Sequence, residues 1–240
     1  NMTVGRSLIN AGQSNGRYAE ERSFVSRAAA TEYVYGTGLS GDGFSFDYTL
    51  PFATEVEVGY YDVNTSVGSW IGFEDGQNLL NIRVSHSLDI SDSQSLSIGV
   101  NNVINNAKES QIKESRIMAV DATYTHGDSL TLETEYYSVQ HDNQGTSKED
   151  SGVAKQETQS GGYVSAVYSI NDSYDVGARY SMFGGFGDAG TISEDSTQMT
   201  LMGARKITDS ATLRLEYNNT DIRGTETTSV TAQFVFAIGS

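Results

Sequence analysis

Apolar and polar residues alternate with a period of two through almost the whole chain. Val230, Ala232, Phe234, Phe236 and Ile238 share one phase, with Ser229, Thr231, Gln233 and Val235 on the other. Leu213, Leu215 and Tyr217 alternate with Arg214, Glu216 and Asn218, and Tyr174, Val176, Ala178, Tyr180 and Met182 with Asp175, Gly177, Arg179 and Ser181. The same pattern runs through Leu80–Ile90, Met118–Tyr124 and Phe44–Leu50. Successive side chains on a strand point to opposite faces, so each stretch reads as a strand with one apolar and one polar face.

The pattern predicts twelve strands, near 2–10, 43–51, 54–62, 78–90, 94–105, 116–126, 129–140, 160–170, 173–183, 196–207, 210–220 and 226–238. In the first and tenth both phases are mixed, which leaves their register open. Short connectors rich in Asp, Asn, Ser and Gly (51–54, 91–93, 126–128, 171–173, 208–210) suit tight turns. Between them come 11–42, 63–77, 106–115, 141–159, 184–195 and the brief 221–225, most of them long, polar and acidic.

Two all-β folds compete. A water-soluble sandwich packs its apolar faces inward. A membrane barrel turns them to lipid and lines its interior with the polar phase. Strands of about 9–13 residues match a tilted membrane crossing. Alternating short and long connectors, and an even strand count that leaves both termini on the short-turn side, fit bacterial outer-membrane barrels. The reading is therefore an all-β, membrane-spanning, antiparallel up-and-down β-barrel of about twelve strands, one domain over 1–240, in the bacterial outer membrane. Tyr48, Tyr60, Tyr124, Tyr136, Tyr168, Tyr180 and Tyr217 fall on the apolar phase near strand ends, where interfacial girdles sit.

Composition narrows function. The charge, 15 Lys+Arg less 31 Asp+Glu, is −16, which argues against a nucleic-acid partner. Zero cysteines remove disulfides and thiol chemistry. Asn1–Arg6 lacks the apolar core of a signal peptide, so the chain either stays in the cytosol or has lost its signal.

Several stretches, taken in order, resemble a family of Gram-negative outer-membrane porin-like barrels. They are Val4-Gly5-Arg6-Ser7-Leu8, Gly12-Gln13-Ser14-Asn15, Phe24-Val25-Ser26-Arg27, Gly36–Gly43 leading into Asp47–Pro51, Ile82–Ser85 with Ser95–Val100, and the closing Gln233–Gly239. Gly16-Arg17-Tyr18 stands where the family typically has His after the loop Asn, which puts a metal role there in doubt. The resemblance implies further strands ahead of the first and a terminal Phe beyond Ser240. It implies a passive channel.

If the apolar phase faces lipid, the pore-lining acids are Asp47, Glu55, Glu57, Asp89, Asp121, Glu133, Glu135, Asp175 and Glu216, and the pore-lining bases Arg83, Arg179 and Arg214. Carboxylates in a narrow passage concentrate cations. The expected function is diffusion of small polar, cationic or neutral solutes. Segment 11–42 carries Arg17, Arg22 and Arg27 and could fold inward as a constriction loop or lie over the mouth. Tyr33, Tyr35 and Trp70 could line a solute path or only pack a loop.

Lipid, lipopolysaccharide and small solutes are the expected partners, with an oligomer or envelope-assembly partner in view. No catalytic residue, metal or cofactor is expected: no His pair has metal spacing, and no phosphate- or dinucleotide-binding motif is present. One alternative is a closed barrel with a structural, adhesin or receptor role through its loops. Another is an outer-membrane hydrolase, which would need a Ser within reach of a His such as His86.

Overall fold

The computed structural model describes residues 1–63, 77–106, 112–143, 155–186, 196–222 and 224–236. Twelve strands run in order: β1 (Met2–Leu8), β2 (Ser40–Leu50), β3 (Thr54–Val63), β4 (Gln77–Ser91), β5 (Gln94–Asn106), β6 (Ile112–His126), β7 (Leu130–Asn143), β8 (Lys155–Asn171), β9 (Tyr174–Phe186), β10 (Ser196–Thr208), β11 (Ala211–Ile222) and β12 (Thr225–Phe236). Each pairs antiparallel with its sequence neighbour in one sheet. β2, β6 and β8 begin at Ser40, Ile112 and Lys155, ahead of the predicted 43, 116 and 160. Alternation marks only the part of a strand that crosses lipid, whereas the backbone ladder continues into polar sequence beyond it. Of the predicted loops 63–77, 106–115, 141–159 and 184–195, residues 64–76 (Trp70 among them), 107–111, 144–154 and 187–195 lie outside the described residues, and the rest belong to strands.

Burial is inverted relative to a water-soluble fold. Phe44, Phe46, Val58, Ile82, Val84, Ile98, Val100, Met118, Val120, Leu132, Val164, Val176, Leu201, Leu215 and Phe234 are all exposed on the outer face. An apolar band spanning a whole sheet far exceeds what a soluble monomer exposes, and its solvent is lipid. Six of the seven girdle tyrosines are exposed on that face; Tyr124 is half-buried.

The sheet curls around the chain between β1 and β2. Asn10 bonds Glu57 on β3 and Asn81 on β4. Gln13 reaches β6, β7 and β8 through Thr123, the Thr134 carbonyl and Tyr163. Ser26 reaches β9 and β11, and the Ala29 amide reaches Gln198 on β10. In a flat sheet β3 and β11 would stand about 40 Å apart, at ~4.8 Å per strand. No pairing links β1 to β12 among the described residues.

Within that segment lies a helix that the sequence reading does not contain, α1 (Ala29–Tyr35), ending at Gly36 with φ 57°. Its signal is the Ala28-Ala29-Ala30 run before a glycine stop. Val34, Tyr35, Ile9 and Leu39 pack with Tyr61, Val63, Leu79, Val103, Ile117, Tyr137, Val139 and Phe183 in one cluster. The interior phase is therefore polar only in part, because its long-loop half is apolar and covered by α1. The mixed phase of β10 has a separate cause: Met202 and Ala204 point inward against Phe24, which precedes α1 in the same connector.

Candidate functional site

Strand pleat and segment 9–39 together build a polar belt across the middle of the interior. Arg83 and Asp121 form a bidentate pair at 2.6 and 2.9 Å. They sit on β4 and β6 and meet over Gly99 of β5, where a Cβ would collide with both charged groups. Glu57 Oε2 accepts from Asn10 Nδ2 at 2.8 Å. Glu135, 1% exposed, accepts from the Ser14 amide at 3.1 Å through Oε2, while its Oε1 has no hydrogen-bond partner. Glu216 accepts from the Ser26 amide and hydroxyl and from Asn218.

The arginines of segment 9–39 point into this belt. Arg17 pairs with Glu133. Burial lowers its guanidinium pKa, but Glu133 and neighbouring groups raise it further, for a net rise. Arg27 is buried and, among the described residues, donates at long range only to the Ser14 carbonyl and Asn15 Oδ1, at 3.3 and 3.4 Å. Arg179 of β9 donates to Ser26 O, Ser26 Oγ, Arg27 O and Thr200 Oγ1 and lies 4.6 Å from the Phe24 ring centroid. Arg214 holds the Glu20 carbonyl at 3.2 Å and Gln233 at 3.3 Å.

Among the described residues Asp47, Glu55, Asp89 and Asp175 take no side-chain hydrogen bond from segment 9–39, although Asp175 lies within electrostatic range of Arg214, and Asp47 and Glu55 of Glu57. The four share the interior phase by strand alternation but sit beside the short turns and are half- or fully exposed. Asp175 accepts from Ser169 Oγ at 2.6 Å. Across the gap between β1 and β12, the interior-phase Thr3, Thr227, Ser229 and Thr231 are exposed and uncharged.

Residues that the sequence reading quotes only within motifs, or does not single out, hold the belt. Asn15, fully buried, donates to the Ile9 and Leu39 carbonyls and accepts from the Leu39 amide, which clasps the two ends of the segment. Gln13, Ser14, Ser26, Tyr137 and Tyr163 are the others; the uncharged polar run Asn10–Gly16 was the available signal. Tyr33 and Tyr35 pack rather than line a path: Tyr33 lies on Phe183 with centroids 3.7 Å apart, and Tyr35 meets Tyr137 edge-on at 5.5 Å. His86 Nδ1 bonds Thr54 Oγ1 at 2.8 Å, so its described partner is a threonine across the strand pair.

The family described as "Putative beta-barrel porin-2, OmpL-like" matches residues 41–239. The fold is similar to OmpT of Vibrio cholerae lacking loop L8, at 16% identity over 92% of this chain and 70% of that one (TM-score 0.65). It is also similar to the anion-selective porin of Comamonas acidovorans, at 13% identity over 98% and 69% (TM-score 0.64). The outer membrane channel DcaP of Acinetobacter baumannii gives 13% over 98% and 69% (TM-score 0.63). No curated protein matches the sequence. Identities this low speak to fold alone, and all of segment 9–39 precedes the family match.

Proposed function

The chain belongs to the OmpL-like beta-barrel porin-2 family, porin-like channels of the outer membrane and not enzymes, and on that premise we propose that it passes small polar solutes, cationic or neutral, by passive diffusion. The observation that carries this reading is the split among the interior acids. Glu57, Asp121, Glu133, Glu135 and Glu216 are occupied by the segment or by arginine. Asp47, Glu55, Asp89 and Asp175 remain in contact with solvent at the turn-side mouth. Four carboxylates in a solvated vestibule with low-dielectric walls raise local cation concentration and repel anions. In this reading segment 9–39 narrows the interior above them, and the exposed, uncharged Thr and Ser of β1 and β12 flank the solute's way past it.

The test is a reversal potential in planar bilayers under a potassium chloride gradient. Cation preference is expected, and Asp47→Asn with Glu55→Gln and Asp175→Asn should reduce it. Absence of any conductance would sink the channel reading for this chain, and anion preference would sink the vestibule argument. One observation favours a second reading, a plugged barrel that acts through its loops: α1 and its apolar cluster fill the long-loop half of the interior. That reading requires a wild-type barrel that does not conduct.

A further inference from the structure

We propose that a cavity between segment 9–39 and strands β7–β9, walled by Arg17, Arg22, Arg27 and Arg179, is an anion site that takes a monatomic halide such as chloride. The cavity measures about 30 Å³. That is room for about two waters, hence for one halide but not for an organic solute. Four guanidinium groups wall it, and Glu133 is the one carboxylate among its lining residues.

The remaining acceptors do not balance those charges. Glu133 is matched to Arg17. Arg27 and Arg179 donate only to neutral oxygens among the described residues. Arg22 makes no hydrogen bond or ion pair there, and its Nε is buried without an acceptor. Arg179 is 6% exposed and its Nε is likewise unpartnered. Glu216 approaches through Ser26, which takes up its oxygens. A buried charge without a counter-charge is costly, and protein interiors pair such charges. Burial and then the Arg27 charge push the Arg22 guanidinium below its ordinary value, against an opposing pull from Glu216 and Glu20. Phe24 and Tyr163 close the cavity with ring surface, which suits a weakly hydrated anion. The acids of the interior thus stand at the turn-side mouth and in the segment's grip, while its unmatched positive charge gathers at one point behind them.

The experiment uses the full chain refolded in zwitterionic micelles, free of lipopolysaccharide and phosphate, with chloride exchanged for gluconate at constant ionic strength. Chlorine-35 line broadening should exceed that of buffer and be competed by bromide. Arg22→Gln should weaken the apparent affinity about tenfold, the worth of one charge-assisted hydrogen bond, whereas Arg22→Lys should keep most of it. No excess broadening, or broadening unchanged in Arg22→Gln, overturns the proposal. Should Arg22→Gln fail to fold, crystals of the wild type grown in bromide decide. An anomalous peak between Arg22 and Arg179 supports the site, and a cavity without one overturns it. Neither readout involves current, so the site stands or falls separately from the proposed channel.

Discussion

At Gly12 the backbone takes φ +106°, and a Cβ there would overlap Glu135 Oε1. Only glycine lets the segment pass so close to the wall. Gly12→Ala should cost about 1–3 kcal/mol, the usual price of a strained backbone position, read by urea unfolding in lipid vesicles. Arg83 and Asp121 make a different case, because each is buried and satisfied mainly by the other. Asp121→Ala should destabilise by about 3–5 kcal/mol, since it leaves an uncompensated buried charge. Replacing both residues with apolar side chains should cost far less than that single change, so a double-mutant cycle isolates the effect. Asn15 serves three backbone groups at once. Asn15→Ala should cost about 1–3 kcal/mol, the penalty for orphaned buried polar groups, and loosen the segment before the wall.

Segment 9–39 is the element that gives this wall its interior. It covers Tyr61, Leu79, Val103, Ile117, Tyr137 and Val139, which would otherwise face water. It also satisfies Glu57, Glu135 and Glu216 through Asn10, Ser14 and Ser26. Replacing residues 11–38 with a short Gly/Ser linker should leave a barrel that still inserts, because the strand ladder does not run through those residues. Its single-channel conductance should rise several-fold over wild type in planar bilayers. Equal conductance would place the segment outside the permeation path. A silent wild type with a conducting deletion would favour the plugged reading.

For the whole molecule the decisive property is which face meets which solvent. Val120 lies in the exposed outer band at 47% exposure. Val120→Arg should cost about 2–4 kcal/mol, as a cation near the bilayer midplane does, measured by unfolding from vesicles. A soluble fold would tolerate such a change at an exposed site. The net charge of −16 divides in the same spatial way. Part of it is taken up by the segment and by arginine, and part is exposed at the turn-side end of the interior.

Strand number, order and facing were legible because a period of two along the chain is a local signal. The residues that carry it, Leu80-Ile82-Val84 for instance, need only a lipid solvent to explain them. The phase of Glu133 and Glu135 was legible for the same reason, and so was the presence of arginines in the long first connector. What the interior contains was not. Tyr137 and Val139 sit on the phase that alternation marks as polar, and they are apolar only because α1 covers them. Whether Arg17 meets Glu133, or Ser26 meets Glu216 across 190 residues, depends on where a connector comes to rest. Alternation is set residue by residue between lipid and water. The path of a connector inside a curled sheet is set by distant side chains that become neighbours only once the wall has closed around it.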